Sequence, residues 1–559
     1  MKEAAKSPSI SFKKKLLSGF SRISFSQGHI ATAMAAGVML LGFAKSANAL
    51  EYSGDYNGQK LTVNLDVTLQ YSTFYRVNQP SAILTSNVNG NDSDLNFRHG
   101  FVSNQIEALP VFDLKYGDFG AHVSGEVYLN TVYLQKNQNN SPSTINQFTP
   151  ADNRSFTSAT RNVNGQNARF LDAFLAYHHS FEDGQTVALK VGRQTLLWGQ
   201  SLFFTNNGIA AGQAPVDIIL AQDTPNAQAQ QVFLPVGQVV ATYQPGIGGL
   251  TFQAYYQFEY QHDNFQGVGA YFNSSDILDR GGQRLILAPD TYLFRSKDVT
   301  PPVQNGQFGF SVQDTLGKYD VGVYALRYDS KVPEVYGSFT NPVNTPYGVS
   351  AGTYSLVYPR DIQLYGASLG TTIGASNVGA EISGRRNMPL VSGLGTSTPA
   401  NPGNANSDPL YAVGNTLAAQ ASMIYVSPGI PLDPGGVSVL GEVEYNHVLN
   451  VTANKSAMVP GRQASAAAFD VVLTPTYYSV LPHFDLAFPI GLKYNFLGRS
   501  QIDSTMNHGT GTFNVGVQGT YNETWIASLT YNDYFGKADP SLNPLADRGY
   551  VSFNVQHTF

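Results

Sequence analysis

The chain has 559 residues, with 33 Lys+Arg against 39 Asp+Glu, a formal net charge of −6 and no cysteine. An acidic balance disfavours nucleic-acid binding, which calls for clustered positive charge, and the lack of cysteine excludes a disulfide framework and thiolate metal sites. The 54 Gly, 32 Tyr and 33 Phe with only 13% charged residues suit long strands that are half polar, a bias that many soluble all-β proteins share.

In chain order, Lys2, Lys6, Lys13, Lys14, Lys15 and Arg22 form a basic leader, and Ile30 to Ala44 is an apolar run of 15 residues holding one hydroxyl, Thr32. The run falls short of the roughly 20 residues of a spanning helix. Ala47-Asn48-Ala49 then supplies the small-x-small pattern of signal-peptidase sites. Residues 1–49 are therefore expected to be a signal peptide cleaved after Ala49, with 50–559 as one exported domain. The leader carries seven basic residues and one acid, so the mature 510 residues hold 26 Lys+Arg against 38 Asp+Glu, a net charge of −12.

From residue 60 onward one pattern recurs. Leu61, Val63, Leu65, Val67, Leu69 and Tyr71 interleave with polar neighbours, as do Leu250, Phe252, Ala254, Tyr256, Phe258 and Tyr260. Phe484, Leu486, Phe488, Ile490, Leu492 and Tyr494 make another apolar ridge, and Phe513, Val515, Val517 and Tyr521 another. A two-residue period means one oily face and one wet face. The runs span 10 to 12 residues, longer than soluble strands of roughly 5–6 and matched to the ~9–11 that cross a bilayer at a tilt. Aromatics near the run ends (Tyr71, Tyr260, Tyr494, Tyr521, Trp525) suit an interfacial girdle. Tight turns at 117–120, 182–184, 246–249, 374–376 and 521–524 alternate with long polar stretches near 135–166, 199–231, 263–302, 332–357 and 391–412. The last strand sets Val551, Phe553, Val555 and the terminal Phe559 on one face, the form that barrel-assembly machinery reads in bacterial outer-membrane proteins.

Counting strands near 60, 108, 127, 174, 191, 239, 255, 309, 324, 365, 382, 420, 443, 473, 489, 516, 529 and 554 gives 18. The predicted fold is an all-β, transmembrane, antiparallel up-and-down barrel of about 18 strands (16–20) with an inward-folding loop. An even count puts both termini on the periplasmic side. A two-sheet sandwich rarely needs so many long strands.

Several segments together resemble a known family. They are Val191-Gly192-Arg193-Gln194-Thr195-Leu196-Leu197-Trp198-Gly199-Gln200-Ser201, Ala214-Pro215-Val216-Asp217, Gly281-Gly282-Gln283-Arg284, Tyr358-Pro359-Arg360-Asp361, Leu440-Gly441-Glu442-Val443-Glu444-Tyr445-Asn446 and Tyr531-Asn532-Asp533-Tyr534-Phe535-Gly536. In order and spacing the chain, from about residue 52 to its end, is similar to the proteobacterial outer-membrane family called domain of unknown function 1302. The resemblance implies an outer-membrane barrel and no reaction. It also implies a genomic setting beside a periplasmic lipoprotein-like partner and an inner-membrane exporter. The segment after Asp217 departs from the family, being rich in Ala, Gln and Asn where relatives carry more charge.

With apolar side chains facing lipid, the register places Asp66, Glu107, Asp113, Glu126, Asp172, Lys190, Glu259, Glu381, Arg385, Glu442, Glu444 and Asp470 in the lumen. On the lipid face a basic residue would cost about 2–4 kcal/mol near mid-membrane. Inside, such charges either line a polar conduit or brace the lumen, Arg385 and Lys190 pairing with nearby acids. Residues 199–231 are too apolar for a free 33-residue loop. Trp198, Leu202, Phe203, Phe204, Ile209, Ile218, Ile219 and Leu220 are expected to fold inward and constrict the channel.

No G-x-S-x-G elbow, H-E-x-x-H or P-loop stands in the sequence, and the adjacent His178 and His179 point to opposite faces of a strand. No catalytic residue, cofactor or metal is expected. The leading expectation is passage of small hydrophobic or aromatic molecules across the outer membrane. The alternatives are a non-conducting barrel anchoring envelope partners and a general diffusion porin.

Overall fold

The computed structural model describes residues 50–147, 152–204, 206–223, 232–278, 280–302, 306–427 and 435–559. The expected signal peptide, with Ala47 and Ala49, lies outside them. No helix among the described residues is long and apolar enough to cross a membrane.

Two-faced strands lose their unpaired edges only by closing on themselves. Here the first half of the cylinder is β1 (Gln59–Arg76), β2 (Gly100–Tyr116), β3 (Phe119–Asn130), β4 (Gln166–Ser180), β5 (Thr186–Gln194), β6 (Val236–Gln244), β7 (Thr251–Gln257), β8 (Gln307–Leu316) and β9 (Tyr319–Tyr328). The second half is β10 (Ile362–Ile373), β11 (Ser376–Pro389), β12 (Val413–Ser427), β13 (Gly436–Ala453), β14 (Ser465–Leu481), β15 (Phe484–Ala487 with Ile490–Leu497), β16 (Gly511–Tyr521), β17 (Trp525–Phe535) and β18 (Tyr550–Thr558). Pro489 has no N–H to give the ladder, and β15 is interrupted there. Every strand pairs antiparallel with its neighbours in sequence, and β18 pairs with β1 from Thr558↔Thr68 to Tyr550↔Arg76, so the barrel is closed with 18 strands. An additional strand, Leu50–Tyr56, pairs with Gln59–Leu65 on the same edge of β1 and continues the line of β18 beyond Phe559.

Register partners share a face, so side-chain direction can be followed around the wall. Ser368, Glu381, Gln420 and Glu444 are successive partners inside, while Leu369, Ala380, Ala421 and Val443 are successive partners outside. Outward Leu175, Val323, Leu369, Ile382, Val443 and Leu529 remain exposed. Each such side chain gains roughly 1.5–3 kcal/mol on leaving water for an apolar phase, and a band of them calls for a hydrocarbon surround. At the short-turn end Trp525 stacks on His557 at 4.2 Å and His557 meets Phe559 at 4.3 Å, an aromatic rim. Tyr260 does not join that rim: it packs in the loops against Tyr358 and donates to Ser330 O at 2.7 Å.

Short connections gather at one end and long ones at the other. The stretch 332–357 is not the irregular polar loop that its composition suggests. Glu334–Thr345 and Gly348–Val357 form a hairpin in a second sheet with Arg284–Ala288, Thr291–Arg295 and Gly395–Ser397. Leu293, Tyr354, Leu356 and Tyr358 are its core. Nearby, Arg76 lies 2.9 Å from Asp94 and 3.3 Å from Asp547, and Arg548 bonds the same two carboxylates. The Tyr271 ring lies 5.6 Å from each guanidinium. This buried network ties the loops before β2 and β18 to the loop after β7.

Candidate lumenal site

The connection between β5 and β6 turns into the cylinder at Trp198. Its indole N–H donates to the inward Gln253 Oε1 at 2.6 Å, and its ring packs 5.2 Å from Tyr255 and 5.6 Å from Tyr324. Beyond it the loop backbone lies on the opposite wall, held by charges that β11 and β13 aim inward. Glu442 Oε2 accepts from the amides of Leu202, Phe203 and Phe204 at 3.1, 2.5 and 3.0 Å. The Glu381 carboxylate accepts from Gln200 N at 2.6 Å and Ile209 N at 2.8 Å. Arg385 donates to the carbonyls of Asn207 and Gly208 at 2.7 and 2.9 Å, and Ser422 Oγ to Gln200 O at 2.8 Å. A charged partner makes each of these bonds stronger than a neutral one, and the water-poor setting strengthens them further. Ile209 is fully buried beneath the loop against Gly366, where a Cβ would come within 2.9 Å of Ile209 Cδ1.

The expected constriction residues thus divide. Trp198, Phe204 and Ile209 are buried as anchors, Leu202, Phe203, Ile218 and Ile219 are half-buried, and Leu220 is exposed. Ile218, Ile219 and Leu220 lie on a short helix, Ile218–Asp223, that faces the wall formed by β1 to β4 across a cleft of about 690 Å³, counting its open side. Arg169 joins the two sides, bonding Glu126 at 2.5 Å and Asp217 at 2.6 Å. Asp217 also accepts from Asn264 Nδ2 at 3.0 Å. Just above, Asp263 Oδ1 accepts from Val216 N at 2.8 Å, and burial holds its carboxyl up to about 7.

Glu107, Glu126, Glu381, Arg385, Glu442 and Glu444 are inward and buried. Asp66, Asp113, Asp172, Lys190 and Asp470 share the inward face with more exposure, Asp113 bonding His122 at 2.7 Å. Three expectations are corrected. Glu259 lies past the end of β7, bonds Gly237 N at 2.7 Å and pairs with the outward Arg193 at 3.4 Å, so it belongs to the rim. Arg385 bonds loop carbonyls rather than an acid, because the loop backbone reaches it first. Lys190 lies over the Phe174 ring at 5.1 Å rather than beside a carboxylate. Arg169 was not expected inside: strict alternation from Asp172 and Phe174 turns it outward, and a register shift against Val123 and Gly125 turns it in.

The family described as Protein of unknown function (DUF1302) matches residues 30–559. No curated protein matches the chain. Among solved structures, it is similar to OccAB1 of Acinetobacter baumannii at 11% identity, over 89% of this chain and 96% of that one, with a TM-score of 0.42. It is similar to OpdK of Pseudomonas aeruginosa, solved with vanillate, at 11% identity, over 89% and 98%, with a TM-score of 0.38. A BenF-like porin from Pseudomonas fluorescens Pf-5 gives 9% identity, 89% and 98% coverage and a TM-score of 0.40. At such values no residue role passes from those proteins to this chain.

Proposed function

The chain belongs to the DUF1302 family, and from that premise we propose that it is an outer-membrane channel for small molecules with a hydrophobic or aromatic body. The observation that carries this reading is the loop drawn across the lumen by Glu381, Arg385 and Glu442. It sets loop backbone and the half-buried side chains of Leu202 and Phe203 inside the cylinder. A general porin needs a wide polar opening; a partly apolar constriction selects solutes that tolerate contact with Leu202, Phe203 and Ile219. The exposed apolar wall and the Trp525–His557–Phe559 rim support insertion in the outer membrane. Phe559 would be read by the barrel-assembly machinery during that insertion. A periplasmic lipoprotein-like partner and an inner-membrane exporter would meet the short-turn end.

The extent of lumen filling also favours a second reading, a barrel that anchors envelope partners without conducting. Planar-bilayer recordings of the full chain and of a variant lacking 203–230 separate the two. The channel reading expects small steps from the full chain and larger steps from the deletion. Silence from both supports the anchor, and equal steps from both remove the loop from the path.

A further inference from the structure

We infer that the second sheet, on the face opposite its apolar core, binds a neutral sugar, a free pyranose or the end of a glycan. The site stands apart from the lumen, in the loops at the long-connection end. Register lays it out. Ser338 pairs with Thr353 and Tyr336 with Ser355, while Gly395 and Ser397 pair with Tyr336 and Ser338 from the other side. Ser296 follows the Arg295↔Tyr354 pair and donates its N–H to Tyr354 O at 2.7 Å, which sets it beside Ser355. Ladder partners share a face. The hydroxyls of Ser296, Ser338, Thr353, Ser355 and Ser397 therefore form a band across the sheet, while Leu293, Tyr354 and Leu356 fill the other side.

The band lines a cavity of about 200 Å³ that Pro402, Gly403 and Asn404 close on one side. Two bonds fix that side: Tyr336 Oη donates to Asn404 O at 2.9 Å, and Ser397 Oγ to Pro402 O at 2.9 Å. The space is thus preformed, and it is several times the ~30 Å³ share of one water. Its chemistry selects the ligand. Among the described residues no Asp, Glu, Lys, Arg or His lines it, so a charged solute finds no counter-charge. Ser296 gives its proton to Tyr354 O and Ser397 to Pro402 O, so both can only accept. The hydroxyls of Ser338, Thr353 and Ser355 make no hydrogen bond among the described residues, so each can donate and accept. A wholly apolar solute would strip water from these groups and return nothing. Tyr336 is 5% exposed, and its hydroxyl also accepts from Leu410 N at 2.7 Å, so it offers ring rather than polar tip. That ring lies over Gly395, where a Cβ would come within 3.0 Å of Tyr336 Cδ1, and the buried Val357 adds apolar surface beside it. A pyranose carries the matching features: hydroxyls that donate and accept around its edge, and C–H faces that pack on aromatic and aliphatic groups.

The test uses the full chain in a detergent without a sugar headgroup and reads binding by saturation-transfer NMR, which needs no conduction. The neutral probes are methyl glucoside, methyl galactoside and methyl mannoside, with glucuronate and glucosamine as their anionic and cationic counterparts. Ser338→Ala, Thr353→Ala and Ser355→Ala together remove the three free hydroxyls and leave the 402–404 contacts in place. Heat-modifiable migration on gels verifies the barrel, and resistance of the loops to protease verifies the sheet. At least one neutral pyranoside should bind the natural chain, and the triple variant should bind it at least about tenfold more weakly. Ser338→Ala alone, a milder change that serves if the triple variant loses the sheet, should weaken binding at least about threefold. A chain lacking 203–230 should bind as the natural one does. Transfer to none of the neutral pyranosides, equal transfer in the hydroxyl variants, or stronger transfer to a charged sugar overturns the site. So does binding lost with 203–230 but kept in the triple variant, which would put the sugar in the lumen. The core oligosaccharide of lipopolysaccharide, measured the same way, separates two sources. Tighter binding than the free pyranosides, lost in the triple variant, supports the site with a surface glycolipid as its ligand, and no gain over them supports it with a dissolved sugar.

Discussion

Replacing both Glu381 and Glu442 by Gln should release the loop from the lumenal wall. Together the two carboxylates accept five backbone amides of the loop: Gln200, Leu202, Phe203, Phe204 and Ile209. Gln keeps the shape and one acceptor oxygen but drops the charge. A hydrogen bond to a charged group contributes about 1.5–3 kcal/mol and a neutral one about 0.5–1.5, so each amide loses about 1 kcal/mol and the loop about 5 kcal/mol. A change of about 5.5 kcal/mol takes a two-state equilibrium from 1:99 to 99:1. The Arg385 and Ser422 contacts remain, so the double variant is expected to alternate between a docked and an undocked loop rather than to lose the docked state. Single-channel recording reads this directly: a second, larger conductance level with long dwell times in the double variant, and shorter visits in either single variant. Identical levels and dwell times in all forms, with the barrel folded, would refute the docking argument.

Other expectations follow from the same contacts. The chain has two tryptophans, Trp198 and Trp525; in a Trp525→Phe background the buried Trp198 should emit to the blue, and the Glu381→Gln/Glu442→Gln pair should shift it to the red. Arg548→Met leaves Asp94 and Asp547 to share Arg76 alone, with one buried negative charge uncompensated, at a cost of about 3–5 kcal/mol. The loops should then become protease-sensitive while the barrel stays heat-modifiable. Asp276, outside the membrane in the loop after β7, is held up to about 7 by burial, whereas an unfolded Asp titrates near about 3.9. The folded loops therefore bind more protons between those values, and their stability falls as pH rises from about 4 to about 7. Hydrogen exchange at 89–96, corrected for intrinsic rates, should show more protection at pH 5 than at pH 8, and Asp276→Asn should flatten the difference. Deleting Phe559 removes the ring that meets His557 at 4.3 Å. Less barrel should then reach the membrane fraction, which immunoblotting of fractions measures.

The barrel was legible because a strand with lipid on one side and water on the other must alternate for its whole length. Runs such as Leu61–Tyr71 therefore announce both the strand and its facing. Glu381 and Glu442 could be set inside on the same ground, since neither is tolerable against acyl chains. What could not be read lies where that constraint ends. The hairpin of 334–357 stands outside the membrane, where strands whose alternation is interrupted by Pro, Gly and Asn look like loop. Arg169 was hidden by a register shift that reverses its facing. Glu259 was misplaced because alternation continued past the last ladder pair at Gln257. The Arg76–Asp94–Arg548 network joins residues up to 472 positions apart, and no local pattern signals such a pairing. The loop's apolar content foretold that it must bury itself, but which wall charges would hold it depended on three-dimensional contact.

The absence of cysteine makes single-cysteine labelling at adjacent wall positions the most direct test of the whole account. Lys190 faces inward beside Val240, and Val191 faces outward, 41% exposed. With an environment-sensitive fluorophore at Lys190→Cys or Val191→Cys in reconstituted membranes, brominated lipid should quench the label at 191 and spare that at 190. A water-soluble quencher should do the reverse. Equal quenching of both labels by either agent would contradict a closed wall with hydrocarbon on one side and an aqueous lumen on the other.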